Sequence, residues 1–172
     1  KSADDANLQE IESLLSQASR QAHSLAQGSF VQLLEENGLS SALSEAGMAL
    51  AEAYRKPLHI DVDPDLDTLP PAVAQHIYRA GQEAISNALR HANARTITVR
   101  GRLVEGLAEL VVEDDGDGFD LDAVASGLGL AGIQARASLA HGSFEIDSEV
   151  GKGTRLRFAL PVATDTEERR AV

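Results

Sequence analysis

The chain has 172 residues, room for one good core or for a core with a helical appendage. Its 43% hydrophobic and 24% charged residues are ordinary for a soluble globular protein. With 27 acids against 15 bases, the net charge of −12 argues against a general nucleic-acid surface, and the lack of cysteine rules out disulfides and thiolate metal sites.

The first segment reads as a helix. Leu8, Ile11, Leu15, Ala18, Ala22 and Leu25 recur in alternating steps of three and four, an a/d heptad seam. Such a seam packs either on a partner helix or on the chain's own core, and Gly28 ends or bends it. A second helix is expected over Leu39–Tyr54, with Leu39, Leu43, Ala46, Leu50 and Ala53 on one face. Ser40 or the Asn37-Gly38 pair can open it. The stretch Leu58–Asp63 alternates apolar and polar residues, the mark of a strand. Pro70-Pro71 then starts a long helix over Ala72–Ala92, with Val73, Ile77, Ala84, Ile85, Ala88 and Leu89 inward.

Beyond Asn93 the period changes to two. Strands Thr96–Leu103 and Leu107–Glu113 flank a hairpin turn at Glu105-Gly106. A glycine-rich stretch runs from Asp114 to Gly132, and a helix follows over Ala131–His141. Phe144 and Ile146 mark one more strand. Gly151-Lys152-Gly153 turns the chain into a last strand carrying Leu156, Phe158 and Leu160. The polar tail Thr164–Val172 is expected to be disordered. This order predicts an α+β protein: antiparallel strands with helices on one face, a two-layer α/β sandwich.

Four segments carry chemical interest. Glu83, Asn87 and His91 lie four apart on the long helix and share one face. A carboxylate and an amide oxygen one turn apart can share a hard cation such as Mg²⁺, although a solvated polar face has the same spacing. At Val111–Phe119 a strand ends in acids and then in Gly116 and Gly118. A carboxylate there can accept from an amine such as that of adenine, and the glycines let the backbone approach a flat ring; a plain surface turn uses the same residues. Gly127-Leu128-Gly129-Leu130-Ala131-Gly132 precedes a helix and can offer backbone N–H groups to phosphate. It lacks the Lys-Ser/Thr of a Walker loop, and no surrounding β-α-β unit is expected, which argues against a dinucleotide fold. Gly151-Lys152-Gly153-Thr154 joins two strands and can place a hydroxyl beside a nucleotide.

Taken in order, these segments resemble the GHKL (Bergerat-fold) ATPases, which include histidine kinases, gyrase-type ATPases, Hsp90 chaperones and MutL proteins. The resemblance covers Leu69 to Val162. The Asn-Ala-Leu-Arg-His-Ala run and the short stretch between Phe119 and Gly127 look most like the nitrate-sensor-type branch of sensor histidine kinases. The resemblance implies roles. Asn87 and Glu83 hold Mg²⁺, Glu83 through a metal water or by assisting proton transfer. Asp114 accepts from the adenine amine, Gly116 and Gly118 shape its pocket, and Thr154 backs the same side. Gly127, Gly129 and Leu130 form the phosphate lid, with Arg90 and His91 near the phosphates. Arg79, Arg90 and Arg95 add local positive charge.

Upstream, Leu33–Leu43 resembles the stretch that joins the dimerisation helices of that branch to the ATPase domain. The expected organisation is a helical dimerisation segment at 1–56, an ATP-binding catalytic domain at 57–163 and the tail at 164–172. The chain does not begin with Met, and it is expected to be part of a longer protein whose first dimerisation helix carries the acceptor histidine. His23 is followed by Ser24 rather than an acid and reads as a surface or interface residue. The implied activity is transfer of the γ-phosphoryl of ATP to a histidine outside the fragment. The implied partners are a response regulator and a second copy of the parent kinase. No apolar run approaches the ~20 residues that span a bilayer, so the fragment is expected to make no membrane contact and to be cytoplasmic, whether or not the parent is anchored. The rival readings are a GHKL serine kinase of the anti-sigma type, a conformational ATPase, and a non-catalytic module of the same fold. The helix before Pro57 favours the histidine kinase over the first two. Intact Glu83, Asn87 and Asp114 disfavour the third.

Overall fold

The computed structural model describes residue 34 and residues 36–121 and 128–162. The chain divides into two compact units, Lys1–Glu36 and Asn37–Val172. The heptad seam, His23, Gly127 and the tail 164–172 lie outside the described residues.

The second unit begins with helix α1, residues 37–54. Its buried face is Leu39, Ala42, Leu43 and Ala51. Ala46 and Leu50 are only half-buried and Ala53 is exposed, so the inward face is turned from the expected one. Gly47 explains the turn: a Cβ there would lie 2.5 Å from Ile60 Cδ1, so the helix sits closest to the sheet along its small residues. Ser40 does not cap the helix. Its N–H and hydroxyl instead donate to the Asp67 carboxylate at 2.7 and 2.8 Å. These contacts and the buried leucines tie α1 into the unit that starts at Asn37.

Strand β1 (His59–Val62) leads through a short 3-10 helix (Pro64–Thr68) to α2 (Pro71–His91). Pro71 occupies the first turn, where its missing N–H costs nothing. Then come β2 (Ile97–Val104), β3 (Leu107–Asp114), α3 (Leu128–Leu139), β4 (Ser143–Glu149) and β5 (Gly153–Pro161). The β2–β3 turn has Glu105 at φ 51° and Gly106 at φ 78°, the paired positive values that match hairpin twist.

The sheet order is β1-β2-β3-β5-β4. It is mixed, not wholly antiparallel as expected: β1 runs parallel to β2, with α2 as the crossover. A parallel neighbour needs such a helical connection, and hydropathy alternation carries no information on strand direction. Strands β3 and β4 both run antiparallel to β5, so they are parallel to each other, with α3 between them in sequence.

One face of the sheet carries Ile97, Val99, Ala108, Leu110, Val112, Leu156, Phe158 and Leu160, all buried. Ile77, Ala84, Ile85 and Leu89 of α2 and Ile133 and Ala137 of α3 complete this core. The other face alternates charges. Arg100 and Arg155 pair with Glu113, Arg157 with Glu109 and Glu145, and Arg102 with Asp61. Such pairs are worth at most about 1 kcal/mol each. Their effect is to keep this face wet and the helices on one side only.

Candidate functional site

Helix α2 lays its apolar side on the sheet and leaves Glu83, Asn87, Arg90 and His91 along its free side. Helix α3 begins at Leu128, three residues before the expected start. Gly129 and Leu130 are therefore in the first helical turn rather than in a loop. Glycine disfavours a helix by about 1 kcal/mol relative to alanine, but here it permits close packing. A Cβ at Gly129 would lie 2.2 Å from Glu83 Oε1 and 3.1 Å from Asn87 Nδ2. The N–H groups of this turn have no partner within the helix, as at every helix start.

The end of β3 reaches the same place. Gly116 carries no side chain because one would strike backbone: a Cβ would lie 1.9 Å from the Ala92 carbonyl oxygen at the end of α2. The Asp117 N–H donates to that carbonyl at 2.7 Å, and the turn is thereby fastened to the helix. Gly118 is left-handed, at φ 56°, and packs against the Glu149 carbonyl. The Phe119 N–H donates to Ser148 Oγ at 2.9 Å, and Ser148 Oγ lies 3.0 Å from Thr154 Oγ1.

Two adjacent aspartates take opposite parts. Asp115 Oδ1 accepts from the N–H groups of Thr96 and Arg95 at 2.7 and 2.8 Å. These bonds, that from Thr96 foremost, hold its carboxyl below the usual aspartate range. Asp114 is half-buried, and burial pushes its carboxyl up against the opposing N–H groups of Gly116 and Thr154. Its Oδ1 accepts from Gly116 at 3.0 Å. Asp115 is thus committed to the turn, while Asp114 is presented to a cavity.

That cavity measures about 560 Å³, within the usual range for small-molecule sites. Glu83, Asn87, Arg90, His91, Gly129 and Leu130 line it on the helical side. Asp114, Gly118 and Thr154 line it on the sheet side. Nine of the eleven residues to which the resemblance gives a role at the pocket therefore meet on one cavity, while Arg79 and Arg95 do not line it. Gly116 supports it from behind without lining it, and Gly127 is outside the described residues. Sequence reasoning missed the apolar wall: Ala84, Ala88, Val112, Phe119, Ile146 and Leu156. Most of these are core residues by pattern, and only the topology shows which edge of the core is open. Ser148 carried no signal at all.

The arrangement is an apolar slot with a carboxylate at one side, opening towards an amide, a carboxylate, an arginine and the start of a helix. It can take a flat ring bearing an amine, with an anionic extension near the helix end. Among the described residues no group of three or more His, Asp or Glu side chains could hold a metal ion. No helix among them is long and apolar enough to cross a membrane.

Comparisons with known proteins point the same way. The chain is 38% identical over 132 residues to the sensor histidine kinase LiaS of Bacillus subtilis, covering 75% of this chain and 36% of that protein. It is 34% identical over 99 residues to the signal transduction histidine-protein kinase/phosphatase DegS of the same organism, covering 55% of this chain and 26% of DegS. The chain thus spans about a third or less of the length of these curated relatives. The histidine kinase domain of a blue-light activated histidine kinase from Erythrobacter litoralis shares the fold, with a TM-score of 0.67 at 19% identity over 79% of this chain and 73% of that one. Residues 72–164, more than half of the chain and every described cavity residue, match the family described as "Histidine kinase-, DNA gyrase B-, and HSP90-like ATPase", and the chain belongs to that family.

Proposed function

We propose that this chain is the ATP-binding catalytic part of a two-component sensor histidine kinase, and that it delivers the γ-phosphoryl of ATP to a histidine outside these residues. The observation that carries the reading is the meeting of the Glu83–Asn87 face, the half-buried Asp114 and the first turn of α3 on one cavity. Asp114 accepts from the adenine amine, with Gly118 and Thr154 beside the ring. Arg90, His91 and the α3 amides around Gly129 and Leu130 face the phosphates. Phosphoryl transfer needs little covalent help from the protein; positioning and charge stabilisation do most of the work.

Glu83 and Asn87 would hold Mg²⁺. They offer one carboxylate and one amide oxygen a helical turn apart on the cavity wall, which suits an ion that keeps several waters and takes one or two protein oxygens. The space at Gly129, which a Cβ would fill at 2.2 Å from Glu83 Oε1, leaves that carboxylate accessible. When bound, the ion neutralises triphosphate charge. The Asn-Ala-Leu-Arg-His-Ala run favours the nitrate-sensor-type branch, with a response regulator downstream and a homodimeric parent.

Labelled ATP tests the reading. The chain alone binds ATP and acquires little or no label. Added to a histidine-bearing dimerisation helix, it yields label that is stable to base and lost in acid. Stoichiometric self-labelling, or no ATP binding, refutes it.

A further inference from the structure

Tyr54 is the last helical residue of α1 and is far in sequence from the cavity. Its backbone is tightly fixed. Arg55 follows in the left-handed conformation at φ 53°. The Arg55 N–H donates to the Glu52 carbonyl at 3.1 Å and the Lys56 N–H to the Ala51 carbonyl at 3.0 Å. That pair of bonds is a Schellman ending, followed by Pro57, which cannot prolong the helix. The Tyr54 side chain is not a core element, since the residue is 37% exposed. Its hydroxyl accepts a hydrogen bond from Arg90 Nε at 2.7 Å.

Arg90 belongs to the wall of the nucleotide cavity. With Nε–H given to Tyr54, the guanidinium plane is set and both terminal Nη groups remain. Among the described residues neither donates to a protein acceptor. A guanidinium fixed at Nε and open at its fork is arranged for an oxyanion, because the fork geometry matches paired phosphate oxygens. A surface arginine without this tether would lose rotamer freedom on every binding event, a cost that preorganisation removes.

The geometry points to Tyr54 as a positioning residue: from the end of α1 it orients Arg90 so that the arginine fork engages the terminal phosphates of ATP. This rests on the nucleotide reading above and deepens it by making the end of α1 part of the site. It also supplies a contact through which the placement of α1 can set the affinity for the triphosphate.

The test is calorimetry on the 172-residue chain with a non-hydrolysable ATP analogue and with AMP, for wild type, Tyr54→Phe, Arg90→Ala and the double variant. Phenylalanine keeps the ring and removes only the hydroxyl. Tyr54→Phe is expected to unfold at the wild-type temperature, to bind AMP as wild type does, and to bind the ATP analogue about three- to tenfold more weakly, the effect of one hydrogen bond. On the Arg90→Ala background the same change is expected to do nothing further, because the two residues act as a unit. Unaltered selectivity in Tyr54→Phe, equal weakening of AMP and ATP, or additive losses in the double variant would overturn the positioning role, with the nucleotide reading intact. Failure of the wild-type chain to bind the ATP analogue sinks that reading and this proposal with it.

Discussion

Exchange of Asp114 for asparagine separates binding from folding. The carboxylate accepts from the Gly116 N–H at 3.0 Å, lies beside Thr154 across the strand pair and presents its remaining acceptor capacity to the cavity. An asparagine of the same size keeps its oxygen on the Gly116 N–H and turns its NH₂ towards the cavity, where water satisfies it. With adenine bound, either orientation of the amide sets a donor against a donor. The expected loss is about 1–3 kcal/mol, the cost of an unpaired buried polar group, or about five- to 150-fold in affinity.

Stability should move the other way. Burial raises the Asp114 pKa, so the fold favours the protonated form. That contribution is fully present below the unfolded pKa and is lost as pH rises through the folded one, so at neutral pH the ionised side chain is a net cost. Asp114→Asn, neutral at every pH, should therefore melt no lower than wild type at pH 7. ATP affinity in the wild type should fall as pH drops through the raised Asp114 pKa, and that dependence should vanish in the variant. Titration calorimetry with a non-hydrolysable ATP analogue gives the affinity, and thermal melts give the stability. Inosine triphosphate, with a carbonyl where adenine has its amine, supplies a control that should lose less or gain. An Asp114→Asn variant that keeps wild-type ATP affinity, or an unchanged ATP-to-ITP preference, would refute the assignment of the carboxylate to the adenine amine.

Asp115→Ala should do the converse: it strips the acceptor from the Arg95 and Thr96 N–H groups and should lower the urea midpoint while the ATP-to-ITP preference stays put. Because its pKa is depressed, that contribution is present at neutral pH and disappears only as pH falls through a value below the ordinary aspartate range. Asn87→Ala should shrink the gain in ATP affinity on adding Mg²⁺; an equal gain with and without the amide would remove Asn87 from the metal site. Gly116→Ala sets a methyl 1.9 Å from a backbone carbonyl that cannot step aside, and a stability loss of about 1–3 kcal/mol or more is expected from overpacking. A variant that melts with the wild type would show that the turn at Gly116 is looser than its packing on Ala92.

Period and punctuation located the elements well because each reports a local cause. Alternation in Thr96–Leu103 and Leu107–Glu113 follows from one wet and one buried sheet face, and β2 and β3 fall within a residue of those limits. The parallel pairing of β1 and the insertion of β5 between β3 and β4 left no trace, since alternation says which face is buried and not which strand lies alongside. Two errors had a common source. The inward face of α1 and the start of α3 were misplaced where glycine sits at a helix contact, Gly47 against Ile60 and Gly129 against Glu83. Propensity treats glycine as a breaker; tertiary packing uses it as the point of closest approach.

The site was legible to a different depth. Each segment had a bland explanation, and only their order pointed to one cavity. Within it, a pair such as Asp114 and Asp115 cannot be told apart by type or spacing. The difference is that Asp115 reaches back to the start of β2 and spends its oxygen on two backbone N–H groups, while Asp114 is the β3 residue paired with Thr154. The partner that orients Arg90 is 36 positions away on another helix, at an exposed position with no periodic reason to be an aromatic residue. Helix α1 is thus more than a cover for the sheet. Its inward leucines belong to the core, and its last residue reaches the nucleotide wall through one hydroxyl. A site assembled from such second contacts is specified by the fold as a whole, and substitutions at Tyr54 or Ser148, which match no motif, are where sequence reading would most underrate an effect on binding.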